Sequence, residues 1–205
     1  MYIPTANRVA DLARVRSFLH AHGFATLVTQ TQAGPWASHL PVLLDEHEGS
    51  SGVLRGHLAR ANEQWQHFRP DQEVLCLFQG PHAYISPTWY AAPVAVPTWN
   101  YATVHVYGIP EVRNDPGFVR QIVEDTTARY EAGRTPQWRL NLPEAQVAAL
   151  LQAIVGFTIR ITRIEAKFKL GQNRSPEDQA GMLRGLSRSA AAGDRALAEF
   201  IRGQE

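Results

Sequence analysis

The chain has 205 residues, 44% hydrophobic and 19% charged, with 20 Lys and Arg against 19 Asp and Glu for a formal net charge of +1. Such a composition belongs to a folded globular chain of one compact domain, or one domain with a small appendage; it argues against disorder and announces no strong field for a polyanion such as DNA. A single cysteine, Cys76, rules out an internal disulfide, no apolar run reaches the ~20 residues of a membrane-spanning helix, and the start Met1-Tyr2-Ile3-Pro4 is unlike a signal peptide, so a cytoplasmic protein is expected.

From the N-terminus, Val9, Leu12, Val15, Phe18 and Leu19 follow helical spacing, with Thr5 or Asn7 as the expected cap and His22-Gly23 as the stop. Phe24 to Thr29 reads as a strand, Gln32 to Pro35 as a turn, and Trp36 to Leu44 as the antiparallel partner, with Pro41 marking an edge, a bulge or a strand end. A polar turn over Asp45 to Gly52 leads into a strand at Val53 to Leu58. Arg60 to Arg69 reads as a short helix capped by Asn62. Glu73 to Gln79 and Ala83 to Ile85 read as two strands separated by Gly80-Pro81-His82, and Ala102 to Glu111 as another.

Beyond Asn114, helices are expected over Phe118 to Tyr130 and Leu142 to Ile154. Gly156 to Ile164 is a strand with Phe157, Ile159 and Ile161 on one face, Ser175 opens a further helix, and Gly193-Asp194 caps the last. Six or seven short strands before residue 112 and a closing strand predict a mainly antiparallel β fold with helices, a small barrel rather than a βαβ fold.

Three segments carry candidate chemistry. Ser38-His39-Leu40-Pro41 is the first. In the second, Gly56-His57-Leu58-Ala59-Arg60-Ala61-Asn62-Glu63-Gln64-Trp65, donors gather where a strand passes into a helix, a natural phosphate receptor that also reads as a capped turn. The third, Tyr84 to Gly108, holds two of the five Trp and four of the six Tyr among hydroxyls, an amide and a His. It suits the wall of a pocket for a flat, polar-edged ligand, or a well-packed hairpin. Lys167 to Arg174 is a basic loop, and Arg184, Arg188, Arg195 and Arg202 read as a solvated helix face. Dinucleotide, Walker and nucleophile-elbow motifs are absent. His39, His57, His82 and His105 have no metal spacing, so no metal is expected.

In order along nearly the whole chain, these pieces resemble the PaiB family of FMN-binding, negative transcriptional regulators. The resemblance rests on Met1 to Pro4, Phe24 to Val28, His39-Leu40-Pro41, Gly56 to Asn62 with Gln64-Trp65, Gly80-Pro81-His82, Tyr84 to Pro87, Trp89-Tyr90, Val96 to Tyr101, His105 to Gly108, Gly156-Phe157, and Lys169-Leu170 with Gln172-Asn173. Gly171 departs from it, standing where the family's K-L-S-Q-N motif has Ser.

The resemblance implies an FMN-binding split β-barrel of the pyridoxamine phosphate oxidase type. The barrel would occupy 1–165 with inserted helices at 116–154, and a helical extension 166–205 would pack on the barrel or on a dimer partner. It further implies a flavoprotein homodimer with FMN at the subunit interface. Expected flavin contacts are Ser38, His39, Leu40, His57, Arg60, Asn62 and Gln64, with Thr98, Trp99, Asn100, Lys169 and Gln172 as a second set reaching the partner's flavin. A flavin-binding regulator is the first functional reading, and an FMN-dependent oxidoreductase or flavin reductase is the alternative. A flavin- or haem-handling binding protein is the third. No catalytic residue is identifiable by spacing.

Overall fold

Alternation drives the first strands. The computed structural model describes residues 1–49 and 51–204, so Ser50 of the expected polar turn lies outside the described residues. Strand β1 (Phe24–Thr31) buries Ala25, Leu27 and Thr29 and turns their neighbours outward, the period-two pattern of a sheet with one covered face. It pairs antiparallel with β2 (Gly34–Asp45), from Thr31↔Gly34 to Phe24↔Pro41. Pro41 sits where β2 changes partner: it faces the first residue of β1, and the ladder with β3 (Val53–Ala59) begins one residue later at Val42↔Gly56. Its missing N–H therefore costs the sheet nothing at the handover.

Strand β3 pairs in turn with β6 (Ile154–Lys169), from Val53↔Arg160 to Ala59↔Ile154. Strand β4 (Val74–Ile85) pairs with β1 over Leu75 to Leu77. With β5 (Thr98–Arg113), the strands close into an antiparallel barrel in the order β1-β2-β3-β6-β5-β4.

The expected break at Gly80-Pro81-His82 does not occur. Strand β4 runs through it, so among the described residues five strands rather than six or seven precede the helix that opens at Pro116. Gly80 is there for packing: a Cβ on it would lie 2.6 Å from the Phe18 ring. Pro81 falls outside the β1 ladder and removes no bond from it.

Helix α1 (Leu12–Ala21) starts later than the spacing suggested. Asp11, not Thr5 or Asn7, caps it by accepting from Ala13 N at 2.9 Å, while Val9 bonds Ala166 O. Helices α2 (Pro116–Glu131) and α4 (Pro176–Arg188) open with Asp115 and Ser175 as side-chain caps and Pro at the first turn. Helix α3 spans Glu144–Gln152. Helix α5 (Ala192–Arg202) begins one residue before Gly193, after a turn at Ala191 that carries no side-chain cap.

The chain divides into two compact units. One comprises residues 19–78 and 105–164. Its interior is built from Leu27, Leu54, Cys76, Phe78, Val106, Phe157 and Ile159, all essentially inaccessible. Gly56 lets the Phe157 ring cross β3, since a Cβ there would stand 2.7 Å from its Cζ. The other unit comprises residues 1–18, 79–104 and 165–205, and holds an aromatic cluster in which the Phe18, Phe168 and Phe200 rings lie 5.1 to 6.0 Å apart. Met182, Leu186, Leu197 and Ile201 of α4 and α5 are buried in this unit.

Candidate functional site

A polar network joins β1, β2 and the chain that follows β3. The helix expected over Arg60 to Arg69 is only a 3-10 turn at Glu63–His67, too short to carry a useful dipole. Asn62 caps it as expected, accepting from Gln64 N at 3.1 Å, and its Nδ2 donates to Ser38 Oγ at 2.8 Å. Gln64 is wholly buried. Its Nε2 donates to Leu27 O and Thr29 Oγ1, both at 3.0 Å, and to Trp36 O at 3.2 Å. One amide thus ties the turn to both strands of the β1–β2 hairpin, with one of its two hydrogens shared.

Arg60, expected to receive phosphate, is engaged with the protein itself. Nε donates to Gln152 O at 2.7 Å and Nη2 to Ile154 O at 2.8 Å, clasping the end of α3 and the start of β6. Its Nη1 has no protein acceptor among the described residues.

Two of the expected histidines lie on β2 and β3. His39 is exposed, with Nδ1 2.9 Å from Thr26 Oγ1 across the β1–β2 pair. His57 lies on β3 opposite Gly156. Its Nδ1 is buried with no hydrogen-bond partner among the described residues, and burial pushes its pKa below 6.5, so the ring is neutral at pH 7. Leu40 points into the core, leaving only its backbone available to a ligand. Trp36 and His67, with rings 5.9 Å apart, line a cavity of about 680 Å³ together with Gln30, Thr31, Arg69 and Gln72.

The second expected set lies in the other unit. Trp99 is 54% exposed and Tyr84 46%, their rings edge to face at 6.2 Å. Lys169 Nζ donates to Thr98 Oγ1 and to Trp99 O, and pairs with no carboxylate among the described residues. Thr98, Trp99 and Lys169 thus form one aromatic, cationic surface.

Asn100 and Gln172 are spent elsewhere. Asn100 is buried with Nδ2 3.2 Å from Met182 Sδ. Gln172 donates to Ala6 O and Phe168 O and accepts from Leu170 N, stitching its turn to the N-terminal segment. Gly171 has φ +85°, a conformation that Ser adopts only under strain.

Thr29 was missed in the sequence, and so was Trp36 as a lining residue. A hydroxyl at an inward position of β1 was the available signal, because a buried polar group needs a partner. Among the described residues no three His, Cys, Asp or Glu gather as metal ligands, and no helix is long and apolar enough to cross a membrane.

The flavocytochrome Anf3 of Azotobacter vinelandii superposes with a TM-score of 0.61 at 14% identity, covering 84% of this chain and 74% of that one. The FAD and heme binding protein of Mycobacterium smegmatis gives 0.60 at 16%, covering 85% and 79%. The architecture is therefore that of the flavin-binding split barrels. Residues 1–163 match the family described as "Putative FMN-binding domain". The chain is also 34% identical over 205 residues to the Bacillus subtilis "Protease synthase and sporulation protein PAI 2", covering 98% of this chain and 96% of that protein. It belongs to the PaiB family.

The residues present fit a flavin. An isoalloxazine ring is flat and aromatic, with donors and acceptors alternating along its edge. The orphaned Nδ1 of His57 and the Ser38 hydroxyl are groups such an edge can satisfy.

Proposed function

We propose that this chain is an FMN-binding regulator of the PaiB type, acting as a homodimer with flavin held at the subunit interface. The observation that carries the flavin reading is His57, a half-buried, neutral imidazole on β3 whose buried Nδ1 lacks a partner among the described residues. Leaving a buried polar atom unsatisfied costs about 1–3 kcal/mol, so a ligand that supplies its partner recovers that cost. Ser38, His39 and the Leu40 backbone would hold the ligand beside it. Asn62 and Gln64 would hold those strands in place, and Arg60 Nη1 would be left for phosphate.

Bound flavin would supply any redox chemistry, and the chain's part is binding and orientation. The exposed Trp99, Tyr84 and Lys169 surface supports the dimeric arrangement, in which it would meet the flavin held by the other protomer. The name of the Bacillus relative, which speaks of protease synthesis and sporulation, supports a regulatory role over turnover.

Light scattering of the flavin-loaded protein and a flavin count per chain test the reading together. A dimer carrying close to one FMN per chain is the expected result. A monomer, or a stripped protein that takes up no FMN, overturns it.

A further inference from the structure

A second concave site lies in the unit formed by residues 1–18, 79–104 and 165–205. A cleft of about 510 Å³ opens between the 3-10 turn Pro87–Trp89 and helix α4, lined by Thr88, Trp89, Arg184, Arg188 and Ser189. Its floor is shaped by two glycines one turn apart on α4. A Cβ on Gly181 would stand 2.1 Å from Trp89 O, and one on Gly185 2.3 Å from the indole ring, so the Trp lies flush on the helix. Arg184 Nη2 lies 3.7 Å from the place a Gly181 Cβ would take, which lays its guanidinium along that floor.

The charge here is uncompensated. Elsewhere arginines meet carboxylates, as Arg55 does Asp45 at 2.7 Å and Arg113 does Asp115 at 3.7 Å. Arg184 and Arg188 have neither a carboxylate nor a hydrogen-bond acceptor among the described residues. Two more arginines lie on α5: Arg195, in its first turn, donates to Ser189 O and Ala190 O, and Arg202, its last residue, donates to Ser187 Oγ. Neither is ion-paired among the described residues. Asp178, the buried acid of α4, is already committed to Ala91 N and Ala92 N at 2.8 and 3.1 Å.

We infer that this cleft is an anion-binding site in which Arg184 and Arg188 take a phosphate group. The guanidiniums present fixed forks of donors to its oxygens, and Thr88 and Ser189 bring hydroxyls to the lining of the same cleft. Nothing in the flavin reading uses these residues, so the site stands or falls independently of it. A small ester and a nucleic-acid backbone both carry such a phosphate, and the two sources separate by experiment.

Inorganic phosphate and a short DNA duplex of arbitrary sequence are titrated in phosphate-free buffer by calorimetry and tryptophan fluorescence. The protein is wild type, Arg184→Ala/Arg188→Ala, or Arg195→Ala. Saturable phosphate binding is expected, weakened at least about tenfold in the double variant and changed by less than about twofold in Arg195→Ala, with FMN binding unchanged. A parallel loss of duplex binding assigns the phosphate to a nucleic-acid backbone, and an unaffected duplex assigns it to a small ester. Absent phosphate binding, an unchanged affinity in the double variant, or an equal loss in Arg195→Ala overturns the site.

Discussion

Replacing Gln64 by Met keeps the volume of the side chain and removes its donors. Three acceptors depend on that amide: Leu27 O, Thr29 Oγ1 and Trp36 O, all within 3.2 Å. At about 1 kcal/mol net for each bond the loss is about 3 kcal/mol. Removing the buried Oε1, itself without a partner, returns about 1 kcal/mol. Gln64→Met should therefore lower stability by about 2 kcal/mol, and Gln64→Ala by about 1–2 kcal/mol more for the cavity it leaves. Urea unfolding of the three proteins at one pH, with equal slopes, measures both differences. If Gln64→Met stays within about 0.5 kcal/mol of wild type, the amide does not tie the turn to the hairpin and the reasoning fails.

Restoring the family's serine with Gly171→Ser should destabilise by about 1–2 kcal/mol, because φ is +85° and the new Cβ would sit 3.2 Å from Met182 Cε; a variant more stable in urea contradicts this. Burial holds His22 and His57 below 6.5, so as pH falls through 6.5 the unfolded chain takes up protons first and stability drops. Above that pH the two contribute nothing, and a pH series of urea midpoints on His57→Ala should show a shallower acid decline. Burial pushes the Cys76 thiol up from 9.0 to about 12, so the unfolded chain ionises first and stability falls as pH rises from 9 towards 12, by about 1.4 kcal/mol per unit. Cys76→Ala should flatten that alkaline limb, and an unaltered limb would count against it.

Much of the fold was legible because local chemistry and long-range packing agreed. The alternation of Ala25, Leu27 and Thr29, the line of Phe157, Ile159 and Ile161, and the caps at Asn62 and Ser175 each specify one outcome. Reading failed where a residue type has two uses. Gly80 and Pro81 are turn residues by habit, yet Gly80 makes room for a ring and Pro81 lies outside the β1 ladder.

The candidate site was legible in residue type more than in role. Asn62 does reach Ser38 and Gln64 the β1–β2 hairpin, but their donors are spent on the protein's own acceptors, and no spacing announces which carbonyl an amide will meet. The arginines of α4 looked like a solvated face because the cleft beneath them depends on Trp89, ninety-odd residues earlier in the chain.

The most direct test of the central claim is an anaerobic FMN titration of the cofactor-stripped wild type and of His57→Ala, followed by flavin fluorescence. Saturable quenching near one FMN per chain, weakened by about tenfold in the folded variant, is the predicted result. No saturable binding, or an equal affinity in folded His57→Ala, would contradict the placement of flavin against this imidazole.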